Sequence, residues 1–245
     1  MIRVEDVHVA FARPVLEGVS LEVPEGCVYA LIGPGASGKS VLLKTIAGLV
    51  RPAKGRVIVR GRDLEALTEA QLMEVRRDVG MLFQNYALFD FMTVADNIAF
   101  PLRRLFADMK EDEVKARVGE RLAKMSLPGF EDRMPAGLSG GQKKRVGVAR
   151  ATVSRPKVLL YDEPTAGLDP VTSQKIYDLI REEQRELGTT NVVISSDVRG
   201  LLTIADRVGM LHLGKLIFDG TKAEALASEI PEVKQFVRGL PDGPL

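Results

Sequence analysis

The run GPGASGKS, Gly33 to Ser40, fits the pattern G-x-x-x-x-G-K-S/T. Together these residue types can hold a chain of phosphates. Gly33, Gly35 and Gly38 let the backbone wrap closely around an anion with its N–H groups turned inward, and Pro34, Ala36 and Ser37 complete the loop. Lys39 supplies a point charge for the β- and γ-phosphates, and the Ser40 hydroxyl is a ligand for Mg²⁺. Val41 has no hydroxyl, so a phosphate contact there would come from its backbone N–H. A glycine-rich turn before an ordinary helix would look similar. The apolar run VYALI before the loop and the amphipathic run SVLLKTIAGL after it supply the strand–loop–helix setting that a phosphate loop requires.

A second group of residues complements the first. VLLYDEP, Val158 to Pro164, is an apolar strand delivering Asp162 and Glu163 at its carboxyl end, where open α/β sheets bind ligands. Asp162 is expected to hold Mg²⁺, through water, and Glu163 to polarise an attacking water as a general base. A strand ending in two carboxylates is weak evidence by itself, because many such carboxylates are simply solvated. Paired with the phosphate loop it makes a two-part site for ATP hydrolysis, with ATP and Mg²⁺ as its cofactors.

The chain that must position these groups has 245 residues and is 45% hydrophobic, enough for a substantial core. Lys and Arg number 34 against 33 Asp and Glu, a net charge of +1, so there is no basic excess of the kind duplex binding calls for and no nucleic-acid partner is expected. The single cysteine, Cys27, excludes an internal disulfide, fits a reducing compartment, and reads as a small core residue. The N-terminus lacks the pattern of a signal peptide. No run reaches the about 18 apolar residues of a membrane-spanning helix.

Strand patterns dominate the beginning: IRVEDVHVAF and VSLEV alternate, VYALI is continuously apolar, and GRVIVRG is a short strand. Thr68 and Gln71 have capping-box spacing. The middle, about Thr93 to Met125, is helical: TVADNIAFPLRRLF is predicted to be interrupted at Pro101, and Val114, Val118, Leu122 and Met125 form one stripe. Strand–helix alternation returns with KVLLYD and NVVIS, which implies a largely parallel sheet. The predicted architecture is α/β: a P-loop NTPase with a parallel-sheet core, an N-terminal antiparallel β subdomain and an inserted helical subdomain. Residues 1–245 form one domain, with the core and β subdomain at about 1–92 and 156–220, the helical subdomain at about 93–155, and a C-terminal extension at about 221–245.

LSGGQKKRVGVARA, Leu138 to Ala151, resembles the signature motif of ABC (ATP-binding cassette) ATPases. AGLDP, Ala166 to Pro170, resembles their D-loop with Asp169, and LFQN resembles their Q-loop with Gln84. Order and spacing agree with that family from the first strand to about Gly220. The resemblance implies a head-to-tail homodimer with two ATP molecules at the interface, where Ser139, Gly140, Gly141 and Gln142 contact the nucleotide of the partner copy. It also implies that Gln84 serves the metal and the reaction, and that Phe11 is the candidate for stacking on adenine, with a plain core phenylalanine as the other reading. Lys143, Lys144 and Arg145 read as the solvated face of a helix.

At the end of the strand after the D-loop helix, members of this family usually carry Ser–His–Asp, where the histidine contacts the γ-phosphate. Here VVISSD puts Ser196 in the histidine's place. Losing one such donor costs about 10²–10³ in rate, which suggests a slowed ATPase; the other reading is that Ser196 is tolerated because Glu163 does most of the work and turnover stays substantial. The only histidines, His8 and His212, fall in strands away from this loop.

A free-standing cassette without a membrane span implies a subunit that docks on a separate integral-membrane permease, peripheral to the cytoplasmic face of a bacterial inner membrane. The segment NYALFDFMTVADNIAFPL is where such cassettes receive permease helices. MLFQNYALFDFMTVADNIAFPL, LLYDEPTAGLDP and the tail VKQFVRGLPDGP resemble Mla-type (Mce-associated) ATPases, which implies phospholipid or other lipid transport with a lipid-binding Mce-type component. In that group the C-terminal segment can reach the neighbouring cassette, and Pro231 to Leu245 is expected to do so. The alternatives are a regulatory clamp with little hydrolysis and a generic importer cassette for amino acids or ions.

Overall fold

The computed structural model describes residues 1–84 and 87–245. Asn85 and Tyr86, which open the apolar-rich segment after Gln84, lie outside them. The alternating start of the chain builds an antiparallel sheet. In β1 (Ile2–Ala10) the buried positions are Ile2, Val4, Val7 and Val9. The alternation slips at the acidic pair Glu5–Asp6, where the pairing register shifts and Asp6 takes φ 48; this is a β-bulge. β2 (Pro14–Val23) and β4 (Lys54–Val59) flank β1, with the two-residue β5 (Arg62–Asp63) at the edge, in the order β2-β1-β4-β5.

The second sheet has the order β10-β9-β3-β8-β7-β6. Its strands β3 (Val28–Ile32), β6 (Val79–Leu82), β7 (Val158–Asp162), β8 (Thr190–Ile194) and β9 (Arg207–His212) run parallel, and β10 (Lys215–Thr221) closes one edge antiparallel. Every residue of β3, β7 and β8 is buried, as expected for strands covered on both faces. Tyr29 and Leu31 pack with the first sheet and with α1 (Lys39–Ile46), while Val28, Ala30 and Ile32 face the larger helical layer. Cys27 is buried beside β3, and that burial pushes its thiol up to about 11.

α2 (Glu69–Arg77) begins with the expected capping box of Thr68 and Gln71. α3 (Val94–Leu105), α4 (Glu111–Lys124) and α5 (Gly140–Thr152) lie between β6 and β7 in chain order and share one apolar core, to which Val114, Val118, Leu122 and Met125 contribute as a stripe. Pro101 does not interrupt α3, contrary to expectation. Proline removes one helix hydrogen bond, but Val94, Ile98, Ala99 and Leu102 hold the helix to the core on both sides of it. Asn97, fully buried, ties the first turns to the incoming chain through Phe89 N–H (2.8 Å) and the Phe89 and Met92 carbonyls (3.1 and 3.2 Å). After β7 come α6 (Pro170–Leu187), α7 (Val198–Ile204), α8 (Lys222–Ala227) and α9 (Pro231–Arg238). Among the described residues no helix is long and apolar enough to cross a membrane.

Candidate functional site

Because β3, β7 and β8 are parallel neighbours, their carboxyl ends open on the same edge of the sheet. That edge carries Gly33–Ser40, Asp162–Glu163 and Ser195–Ser196. The loop after β3 is pressed between two strands. At Gly33 (φ 141) a Cβ atom would lie 2.0 Å from the Leu211 carbonyl oxygen, and at Gly38 (φ 101) 2.7 Å from Leu16 Cδ2, so neither position admits a side chain. Gly38 caps α1 without a side-chain acceptor, leaving the first-turn N–H groups turned toward the loop. Lys39 Nζ donates to the Gly33 and Pro34 carbonyls at 2.8 and 2.7 Å. Partial burial lowers its pKa, against the pull of Glu163 and Asp162.

Ser40 Oγ donates to Asp162 Oδ1 at 3.1 Å. Asp162 is buried at the end of β7, and desolvation raises its pKa while the Ser40 hydrogen bond and Lys44, Lys39 and Lys144 oppose the shift. A hydroxyl that lines the cavity beside the loop and a carboxylate oxygen behind it form a hard oxygen donor set that suits Mg²⁺ bound jointly with phosphate.

Glu163 follows in a left-handed conformation, φ 52, unusual for a residue with a side chain. Its N–H donates to the Ile194 carbonyl at 3.0 Å. Its carboxylate Oε2 accepts two hydrogen bonds, from the backbone N–H and the hydroxyl of Ser196, both 3.0 Å. Ser196 therefore holds the carboxylate of Glu163. His8 instead bonds Asp6 at 3.0 Å, and His212 ends β9, separated from β8 by β3.

Two features of this region were not evident from the sequence. Lys144 is not part of a solvated face: it is 1% exposed, and its ammonium donates to the Gln84 carbonyl (3.1 Å) and the Glu163 carbonyl (2.7 Å). Its neighbour Arg145 donates to the Met125 and Ser126 carbonyls at 2.8 and 3.2 Å. Helical periodicity gave the only available signal, since residue 144 falls on the same side of α5 as Val148 and Ala151. The second feature is a buried hydroxyl cluster behind the site. Tyr177 OH lies 2.8 Å from Ser195 Oγ and 3.0 Å from Thr165 Oγ1, and Ser195 Oγ accepts from Asp197 N–H at 3.1 Å. Burial pushes the Tyr177 hydroxyl up to about 12, so it remains a neutral donor.

A cavity of about 740 Å³ collects the loop residues Gly35 to Val41 together with Gln84 and Glu163, and extends to Arg13, Pro14, Val15 and Leu213. Phe11 is 65% exposed in the turn before Arg13, so it is not a core phenylalanine. Ser139, Gly140, Gly141 and Gln142 do not line this cavity. Ser139 and Gln142 form a capping box at the start of α5, with Ser139 N–H donating to Gln142 Oε1 at 2.9 Å. Asp169 caps α6, accepting from Val171 and Thr172 N–H at 3.0 and 2.9 Å. The C-terminal segment folds back on its own chain: Leu245 N–H donates to Gln235 Oε1 at 2.9 Å, and the segment lines a second cavity with Ser196 to Arg199.

Residues 16–166 match the family described as ABC transporter. Over 242 residues the chain is 44% identical to the methionine import ATP-binding protein MetN of Caulobacter vibrioides, covering 97% of this chain and 72% of that protein. It is 42% identical over 244 residues to MetN 1 of Paraburkholderia xenovorans, covering 98% and 70%. Among solved structures it resembles the ATP-binding cassette MJ0796, dimeric and bound to ADP and Pi in a post-hydrolysis state, at a TM-score of 0.85 and 30% identity over 91% of this chain and 99% of that one.

Proposed function

The chain belongs to the ABC transporter family of ATPases, and from that premise we propose that it hydrolyses ATP in the cavity between Gly33–Val41 and Glu163 to drive a separate membrane permease. The observation that carries this reading is the junction of Glu163, fixed by two hydrogen bonds from Ser196, with the Ser40–Asp162 pair at one mouth of the phosphate loop. In this reading the N–H groups of the loop and Lys39 bind the β- and γ-phosphates. Ser40 and Asp162, with Gln84 beside them, hold Mg²⁺, which when bound neutralises charge on the phosphate oxygens. Glu163 orients the attacking water and takes up its proton. Phe11, exposed near Arg13 and Pro14, stacks on the base at the far end of the cavity. Ser139, Gly140, Gly141 and Gln142, which are not among the residues lining this cavity, serve the nucleotide of a second copy, with Asp169 at the start of α6.

For the cargo, the relatives are named for methionine import. They support the alternative of an importer cassette for amino acids or ions. They lend no support to the lipid transport and Mce-type component that the Mla resemblance implied, and the short tail segment does not outweigh similarity along nearly the whole chain. A permease fits the groove of Phe83, Phe89, Phe100 and Pro101 near α3, with Phe91 projecting beside it at 76% exposure. In this reading the chain works peripherally, held at a bacterial inner membrane by that permease.

The test is Mg²⁺-dependent ATP hydrolysis by the chain and by Glu163→Gln, with uptake of labelled methionine once the co-purifying permease is reconstituted. Glu163→Gln is expected to lower kcat by about 10²–10³ while ATP still binds. Retention of half the activity would overturn the assignment of Glu163, and ATP-driven transport without methionine uptake would overturn the amino-acid reading.

A further inference from the structure

We infer that Lys144 is a positioning residue that couples α5, the helix headed by Ser139, to the two segments presenting Gln84 and Glu163 to the terminal phosphate; this rests on the function proposed for that site. A lysine is almost never fully buried without partners, and this one is 1% exposed. Its ammonium donates to two main-chain carbonyls from segments far apart in sequence, Gln84 at 3.1 Å and Glu163 at 2.7 Å. Such charge-assisted bonds are stronger than neutral ones, and Glu163 is where holding the backbone matters. Its φ of 52 is a conformation that persists only when its surroundings impose it. The Ile194 carbonyl accepts from its N–H, its carbonyl accepts from Lys144 at 2.7 Å and from Ala166 N–H at 3.3 Å, and Ser196 holds its carboxylate. Of these anchors, only Lys144 comes from the helical layer. A shift of α5 therefore reaches Gln84 and Glu163 together through the Lys144 ammonium, while the grip on nucleotide belongs to a separate segment, the loop closed by Lys39 on the Gly33 and Pro34 carbonyls. This links engagement of the start of α5 to alignment of the groups that act on water.

The experiment compares the full-length chain with Lys144→Met, which keeps the length and removes the charge, and Lys144→Gln, which keeps a neutral donor. Steady-state ATP hydrolysis, affinity for a fluorescent ATP analogue and amide hydrogen exchange are measured on each. Lys144→Met is expected to lower kcat by roughly tenfold or more, to change ATP affinity by less than about threefold, and to speed exchange selectively in peptides containing Gln84 and Glu163. Lys144→Gln is expected to recover part of kcat and of the protection. The proposal is overturned by a kcat within about twofold of the unaltered chain, by ATP affinity falling in step with rate, or by exchange rising evenly across the core. If Lys144→Met does not fold, Lys144→Gln is judged by the same criteria. Glu163→Gln is the control: if it leaves hydrolysis intact, the site assignment fails, whereas selective exchange at the two peptides still decides whether Lys144 ties them together.

Discussion

Ser196 stands where the family's usual pattern has a histidine, yet the structure gives it definite work, because both of its donors meet the Glu163 carboxylate at 3.0 Å. A hydrogen bond to a charged group contributes about 1.5–3 kcal/mol. Ser196→Ala keeps the backbone N–H bond and loses the hydroxyl, so kcat is expected to fall by about tenfold to a hundredfold with little change in KM. Steady-state kinetics decide it: an unchanged kcat would mean that the N–H alone holds the carboxylate. Asp162 carries a pH prediction. Its raised pKa means that the folded chain takes up its proton at a higher pH than an ordinary aspartate would. Burying the ionised form is unfavourable at neutral pH, and that penalty is relieved as pH falls through the folded pKa. Because Mg²⁺ needs the ionised form, affinity for Mg²⁺ in the presence of ATP is expected to weaken on acidification at a higher pH than an ordinary aspartate would show. In Asp162→Asn it should be weak throughout, and the difference between the two chains, titrated at several pH values, isolates the aspartate. At this scale the sequence was informative wherever chemistry is local. Gly33 to Ser40 could be assigned because eight adjacent residues make the loop. Lys144 and the Tyr177–Ser195–Thr165 cluster could not, because their partners come from segments that meet only in the fold.

The secondary-structure elements were legible where periodicity was strong. The alternating start of the chain is β1, although reading it as plain alternation missed the bulge at Glu5–Asp6, and the stripe Val114, Val118 and Leu122 is the buried face of α4, continued by Met125 just past its end. Pro101 misled because a local rule was overridden by packing on both sides of the proline. The joint between α4 and α6 was invisible for another reason: Arg121 and Glu183 look like ordinary surface charges. In the fold both are 2% exposed and pair at 2.5 Å. Removing one partner of a buried pair strands the other charge, which costs about 3–5 kcal/mol. An exposed pair such as Arg155 with Glu120 contributes at most about 1 kcal/mol. Arg121→Met is therefore expected to lower the urea midpoint sharply and Arg155→Met hardly at all. Equal shifts would show that the α4–α6 joint is held by its apolar contacts alone.

At the scale of the whole molecule, the phosphate loop, Glu163 and Gln84 converge on one cavity, while Ser139 to Gln142 line no part of it. The start of α5 is nevertheless built like an anion site. Ser139 and Gly140 are exposed, and helix N–H groups face outward beside the capping box. A site completed by a second copy accounts for both facts, since each molecule then offers one loop and one helix start to its partner. Nucleotide should therefore control association. With Glu163→Gln to prevent turnover, ATP is expected to shift the chain from monomer to dimer in sedimentation velocity, and ADP is not. Adding Ser139→Arg should abolish the dimer, because a bulky cation would fill the space meant for the partner's phosphates, yet leave the ATP affinity of the monomer unchanged. Lys39→Ala should lose both. If Ser139→Arg instead weakened nucleotide binding by the monomer, the start of α5 would be acting on its own chain's ATP, and the head-to-tail arrangement would not hold for this protein.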